Sequence, residues 1–204
     1  MAQATSLDSP YTVESYFGLV HSGALRPDDR VELLDGLIVA MPPQDPEHAS
    51  ATGRVEDALR GALGTSAVIR VQSPLTLGPR SAPEPDVAVV AGERADYDHH
   101  HPTTALLIVE IASSSLPQDR LTKSRIYAAA GIPEYWIVNL RDDCIEVFRA
   151  PVPETRSYRD RLVLHRGAHI VLTSVQGSPV AVEDLLPRAA AILVPPADGS
   201  VPEP

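Results

Sequence analysis

The sequence is short of three things. It has a single cysteine, Cys144, in 204 residues. No intrachain disulfide can form, which fits a reducing compartment and an expectation of cytoplasmic location. It is short of positive charge: 17 Lys and Arg face 27 Asp and Glu, for a formal net charge of −10. A protein living on non-specific phosphate contacts is usually basic, because its affinity comes from cations that displace counterions. The acidity counts against a general nucleic-acid coat and leaves room for a local basic groove. Finally, no apolar run approaches the ~20 residues of a membrane-spanning helix, and the N-terminus lacks the basic patch and apolar core of a signal peptide.

The remainder is ordinary globular composition, 44% hydrophobic and 22% charged. The expectation is one domain over residues 1–194, followed by a Pro-rich disordered tail over 195–204. There is no internal repeat. The pattern predicts a first helix over 11–21, capped by Thr12 and stopped at Gly23. Two short strands, 30–34 and 37–41, flank Asp35-Gly36, a strong hairpin signal. A second helix starts at Asp45-Pro46 and runs to about Leu63, with Val55, Leu59 and Leu63 on one face and His48 in its first turn. Strands follow at 67–72, 75–77, 86–91 and 106–111. A helix over 118–130 is stopped by Gly131 and Pro133. Strands at 134–140 and 144–149 form a hairpin about 141–143, 161–165 pairs with 170–175, and 182–186 makes one helical turn. This order predicts an α+β fold: a curved mixed sheet with few helices.

Two carboxylates carry the chemical interest. Asp86 follows Pro85 and opens a strand. Glu110 closes the apolar strand 106–111, where a charge without a partner is expensive. If the two strands are neighbours, the carboxylates meet at one edge and shift each other's pKa unless a cation sits between them. Mg²⁺ suits such a place, since it takes hard oxygen ligands from one or two carboxylates and fills the rest with water or phosphate. The backbone carbonyl of Ile111 could add a third oxygen. The alternative is structural: Asp86 caps a turn and Glu110 pairs with an arginine. In the helix that follows, Asp119, Lys123 and Tyr127 stand at i, i+4 and i+8 and share a face. Lys123 can then point back over the Glu110 strand, to orient or deprotonate a water or to stabilise a pentacovalent phosphate. The alternative is an exposed Asp119–Lys123 pair worth about 0.3–0.5 kcal/mol.

Other residues carry less. His99, His100 and His101 are consecutive and cannot easily converge on one ion, so they read as a solvated loop. Tyr135 and Trp136 point to opposite faces of a strand, so one belongs to the core and the other could stack on a base. Cys144 reads as a strand residue, and His165 and His169 receive no role.

Taken together, Pro85-Asp86-Val87, Val109-Glu110-Ile111, Ser113, Asp119, Lys123, Tyr127 and the run Ala130-Gly-Ile-Pro-Glu-Tyr-Trp136 resemble one group of proteins. It is the large bacterial group of putative restriction endonucleases, long catalogued as a domain of unknown function, within the PD-(D/E)XK nuclease superfamily. Glu32-Leu33-Leu34-Asp35-Gly36 looks like its early hairpin and His48 like the histidine of its second helix, so the resemblance covers roughly 11–193. It implies a restriction-endonuclease-like fold with a four- or five-strand mixed sheet flanked by helices. It implies a site in which Asp86, Glu110 and the Ile111 carbonyl bind Mg²⁺, with Mn²⁺ as a substitute. The superfamily's lysine usually stands two positions after the second acid; here that residue is Ala112, and Lys123 takes the role from the helix. The resemblance further implies auxiliary roles for Glu32, His48, Asp119 and Tyr127. The sequence departs from the group at Leu37, where an acid is common, at Ser114, where Pro is usual, and at Asn139, where Asp is usual.

The expected function is metal-dependent endonucleolytic hydrolysis of DNA. A homodimer is a natural expectation, because cutting both strands of a duplex takes two sites. Two other classes fit the same residues: a binding or regulatory module that keeps the nuclease fold without cutting, and a metal-dependent hydrolase of small phosphorylated molecules.

Overall fold

A computed structural model of the chain describes residues 11–26 and 28–188. The expected tail at 195–204 lies outside the described residues. Helix α1 (Val13–His21) is opened by Thr12, whose hydroxyl accepts from the Ser15 N–H while Ser15 caps it in return. This reciprocal box satisfies two N-terminal donors that a helix start leaves free. Strands β1 (Val31–Leu34) and β2 (Leu37–Ala40) pair antiparallel around Asp35 and Gly36, with φ of 50° and 86°. Both central residues are left-handed, as the tight turn favoured by Asp-Gly requires. Helix α2 (Pro46–Leu63) begins after the Asp45 cap with Pro at its first position, as the sequence predicts.

The main sheet has six strands rather than the four or five implied by resemblance: β3 (Val68–Val71), β4 (Val87–Val90), β5 (Leu107–Ala112), β6 (Glu134–Asn139), β7 (Cys144–Val152) and β8 (Ser157–His165), in spatial order 3-4-5-6-7-8. Only β5 and β6 are parallel; the connection between them is helix α3 (116–129). Its central strands β4, β5 and β6 are buried on both faces, so they read as apolar runs rather than as alternation. Val87, Val89, Leu107, Val109, Ile111 and Trp136 pack with Val55, Leu59 and Leu63 of α2 in one core. Ala88, Val90, Ile108, Ala112 and Tyr135 pack with Ile126 and Tyr127 of α3 in a second. Each fully buried aliphatic side chain contributes ~1.5–3 kcal/mol relative to an exposed one.

The double covering changes the reading of Tyr135 and Trp136: both are core, one in each layer. Three predicted strands differ. Residues 75–77, hemmed by Pro74, form no regular strand, though Leu75 and Leu77 donate backbone bonds to Pro83 and Ser81 at 2.9 and 2.8 Å. Residues 161–165 belong to β8, which pairs with β7. Their expected partner contributes only its first residue to a strand, as His169–Ile170 pairs with Val180–Ala181. β8 is mostly exposed, so its apolar segment alone did not show its nine-residue extent. A single helical turn, Val182–Leu185, closes the described chain close to its predicted place. No helix among the described residues is long and apolar enough to cross a membrane.

Candidate active site

β4 and β5 are antiparallel neighbours, with Val87 opposite Val109. Extending that register by one residue sets Asp86 opposite Glu110. Parity along the strands does the rest, because alternate side chains share a face. Ala88 and Val90 lie in the α3-side core, as do Ile108 and Ala112, so Asp86 and Glu110 face the same side. Asp86 stands just ahead of β4, and Glu110 sits inside β5 with two strand residues beyond it; it does not close the strand. Asp86 Oδ2 accepts from the Ile111 N–H at 2.8 Å. It also lies 3.2 Å from His48 Nε2. Burial disfavours the His48 cation, but Asp86, Asp45 and a backbone bond to Ile111 outweigh it and raise the His48 pKa.

Helix α3 delivers the cation. It opens as Leu116–Gln118, widens into a π turn at Asp119–Lys123, and returns to α geometry at Ser124–Ala129. Such π turns recur at functional sites. Lys123 Nζ donates to Glu110 Oε1 at 3.0 Å and lies 3.2 Å from Glu32 Oε1. Tyr127 OH donates to the same Glu110 Oε1 at 2.5 Å. Lys123 and Asp119 are both buried, so the solvent-exposed pair the spacing allowed does not exist. Lys123 is also the only lysine in the sequence. The other sixteen cations are arginines, a contrast in composition that by itself marks this position.

These side chains converge on a cavity of about 70 Å³ lined by Glu32, Glu84, Asp86, Glu110 and Asp119, with Arg30, His48 and Lys123. Five carboxylates thus face two permanent cations and one histidine. Burial, with repulsion from Asp119, Asp86 and Glu32, raises the Glu110 pKa well above the ordinary range despite Lys123. Burial likewise lifts Asp119 to about 6 and raises Glu84, with Glu32 adding to the effect. For Lys123 burial acts in the opposite sense and lowers the pKa, but Glu110, Glu32 and Asp119 outweigh it and the net shift is upward. These carboxylates hold it as an ammonium, a form that donates protons rather than accepting them.

The donor set suits a hard cation in part. Among the described residues, protein hydrogen bonds reach one oxygen of Glu110 and one of Asp86, leaving the second oxygen of each free, and Asp119 Oδ2 is buried with no partner. No three His, Cys, Asp or Glu side chains among the described residues stand close enough to hold a metal by themselves. An ion here would therefore rest on two acids and a backbone carbonyl, with water or phosphate completing its shell, as Mg²⁺ commonly does.

Arg30 and Glu84 line the same cavity and were not singled out in the sequence. Glu84 stands two positions before Asp86, a spacing that returns a side chain to the same face of an extended chain. Of the three departures, Leu37 and Ser114 are exposed. Asn139 donates to Glu146 and Asp142 at 3.0 and 2.9 Å, away from the cavity. Of the histidine triplet, His99 and His100 are exposed, but His101 is half-buried and stacks on Phe17. Cys144 is buried, and burial raises its thiol pKa.

A six-stranded mixed sheet flanked by helices, with acids gathered at adjoining strands, defines a restriction-endonuclease-like α+β protein. A solved structure with this fold is that of a putative nuclease belonging to DUF820 from Anabaena variabilis. It matches at 16% identity and a TM-score of 0.68, over 86% of this chain and 97% of that one. The family model for Uma2, described as "putative restriction endonuclease", matches residues 13–183, and the chain belongs to that family. No curated protein matches it.

Proposed function

We propose that the protein is a divalent-metal-dependent nuclease that hydrolyses phosphodiester bonds in nucleic acid, with DNA the expected substrate. The observation that carries this reading is the cavity itself, where two neighbouring acids, each with a free oxygen, stand beside a single buried lysine. Asp86, Glu110 and the Ile111 carbonyl are the groups that would hold Mg²⁺ or Mn²⁺. When bound, such an ion supplies positive charge to a phosphate and acidifies a bound water.

The chain's own residues divide the remaining work. Hydrolysis forms a bond from a water oxygen to phosphorus and breaks the bond to the leaving sugar oxygen. Negative charge grows on the phosphoryl oxygens, and Lys123, fixed as an ammonium, supplies a pre-oriented charge to meet it. Tyr127 fixes Glu110 Oε1, and His48 fixes Asp86 Oδ2. Asp119 Oδ2, unpartnered and with a pKa of about 6, is available to take the proton of the attacking water.

The test is cleavage of plasmid and oligonucleotide DNA with Mg²⁺ or Mn²⁺ by purified wild type and by Asp86→Ala, Glu110→Ala and Lys123→Ala. Cleavage that persists in all three variants rejects the assignment. A second reading, a nuclease fold kept for binding or regulation without cutting, is favoured by the net charge of −10 and by the absence of a three-side-chain metal cluster among the described residues. Calorimetric titration separates the two: no Mg²⁺ or Mn²⁺ binding by wild type favours the second.

A further inference from the structure

A second recess opens beside the catalytic cavity. Its volume is about 500 Å³, and it shares Arg30, Met41 and Glu84 with that cavity. A strand with one phosphate among the acids would therefore pass Arg30 on its way into the recess. We propose that this recess receives the base of the nucleotide next to the scissile phosphate, taken out of its stack, so that the preferred substrate is a nucleic-acid strand unpaired at that position. The proposal rests on the nuclease reading and adds the substrate class.

Four observations support it. First, Phe17 of α1 and His101 lie stacked in the wall, with ring centroids 5.3 Å apart and planes 24° from parallel. Both are partly exposed. Burial, with the nearby charges of Arg70 and His100, lowers the His101 pKa. The platform is thus aromatic and mostly uncharged at neutral pH, as base stacking prefers. Second, Gln72 lines the same recess, and its amide offers both donors and an acceptor to a base edge.

Third, Gln72 and Arg30 hold φ of 45° and 33°. Left-handed backbone is costly for such residues and is retained where the surrounding structure fixes it, often at functional sites. Gln72 is also tied to the catalytic strand, its N–H donating to the Asp86 carbonyl at 3.0 Å. Fourth, a protein with net charge −10 has little to grip along a duplex backbone, where affinity scales with neutralised phosphates. Stacking supplies affinity that this charge balance does not.

The test walks a single abasic site along a fluorescent 12-nucleotide DNA and measures binding with Ca²⁺ as the added metal. The same strand, free or annealed to its complement, is used for cleavage with Mn²⁺. Wild type is expected to prefer the unpaired strand, and one abasic position beside the cut should weaken binding about tenfold, within the range of base–aromatic stacking. In Phe17→Ala and His101→Ala that position should lose its penalty while the other positions keep theirs. Phe17→Leu, which preserves apolar bulk and helix packing, should lose it too; its thermal melt checks the fold. A wild type that cuts DNA with no preference for unpaired strands, or variants that keep the abasic penalty, overturns the recess and leaves the nuclease reading standing. A wild type that neither binds nor cuts any of these strands overturns both.

Discussion

Two groups of buried carboxylates lie on or against this sheet, and they differ in how fully they are compensated. Glu134 and Glu146 are fully buried at β6 and β7. Glu134 accepts from Trp136 Nε1, Arg149 Nη2, Thr173 N and Thr173 Oγ1 at 2.9, 2.7, 3.0 and 2.8 Å. Glu146 accepts from Arg120 Nε, Asn139 Nδ2 and Arg161 Nη2 at 3.0, 3.0 and 2.8 Å. Burial alone would raise the Glu146 pKa, but these bonds lower it. Around the cavity, Glu110 and Asp119 are also buried and move the opposite way, because burial, with repulsion from neighbouring acids, outweighs Lys123, a cation they share with Glu32. Saturated carboxylates behave as structural pins. Undersupplied ones retain an unmet demand for positive charge, which a bound divalent cation would meet.

The contrast can be broken or sharpened experimentally. The largest effect expected is on activity: Glu110→Gln or Lys123→Met should reduce metal-dependent cleavage by about 10²–10³-fold or more, read by initial rates on a labelled oligonucleotide. The mirror-image change in the saturated group should act on stability. Arg149→Met strips Glu134 of its cation and should cost about 3–5 kcal/mol in urea unfolding, whereas Glu110→Gln should cost much less or stabilise.

Asp119 and Glu146 should also tilt the pH dependence in opposite directions. Asp119 binds its proton more tightly folded than unfolded. Its contribution to stability is therefore complete below its ordinary value of 3.8 and is lost as pH rises through about 6. Glu146, whose pKa is lowered, contributes above its ordinary range and loses that contribution as pH falls. Asp119→Asn should remove the Asp119 decline and gain on the order of 2 kcal/mol at pH 7–8 relative to wild type, seen in denaturant melts across pH. A smaller effect comes from metal: Mg²⁺ at ten times its dissociation constant should stabilise wild type by ~1.4 kcal/mol and leave Asp86→Ala unmoved, read by thermal shift. Smallest, Asn139→Asp replaces a donor to Glu146 with another carboxylate and should cost about 1 kcal/mol.

Much of this architecture was legible from local patterns. Thr12 and Asp45 mark two helix starts, Asp35-Gly36 sets the hairpin, and the spacing of Lys123 and Tyr127 brings both side chains onto Glu110. The strand at 161–165 lost its length because its outer residues are polar and exposed, and the segment at 75–77 reads as a strand although it forms none. Tyr135 and Trp136 read as a split pair because nothing local shows that both sheet faces are covered.

The sequence by itself therefore determined most of the local elements, since caps, turns and side-chain periodicity act over a few residues, and it carried the resemblance that nominates Asp86, Glu110 and Lys123. The tertiary structure decided which acids are satisfied and which are not. Glu32, Asp86, Glu110 and Asp119 come from four separate segments, and their balance of charge exists only once strand pairing and the α3 crossover place them around one lysine. Glu134 and Glu146 look no different along the chain. They differ because the sheet register and packing bring Arg149, Arg120 and Arg161 within hydrogen-bonding distance of them, while the cavity acids share Lys123.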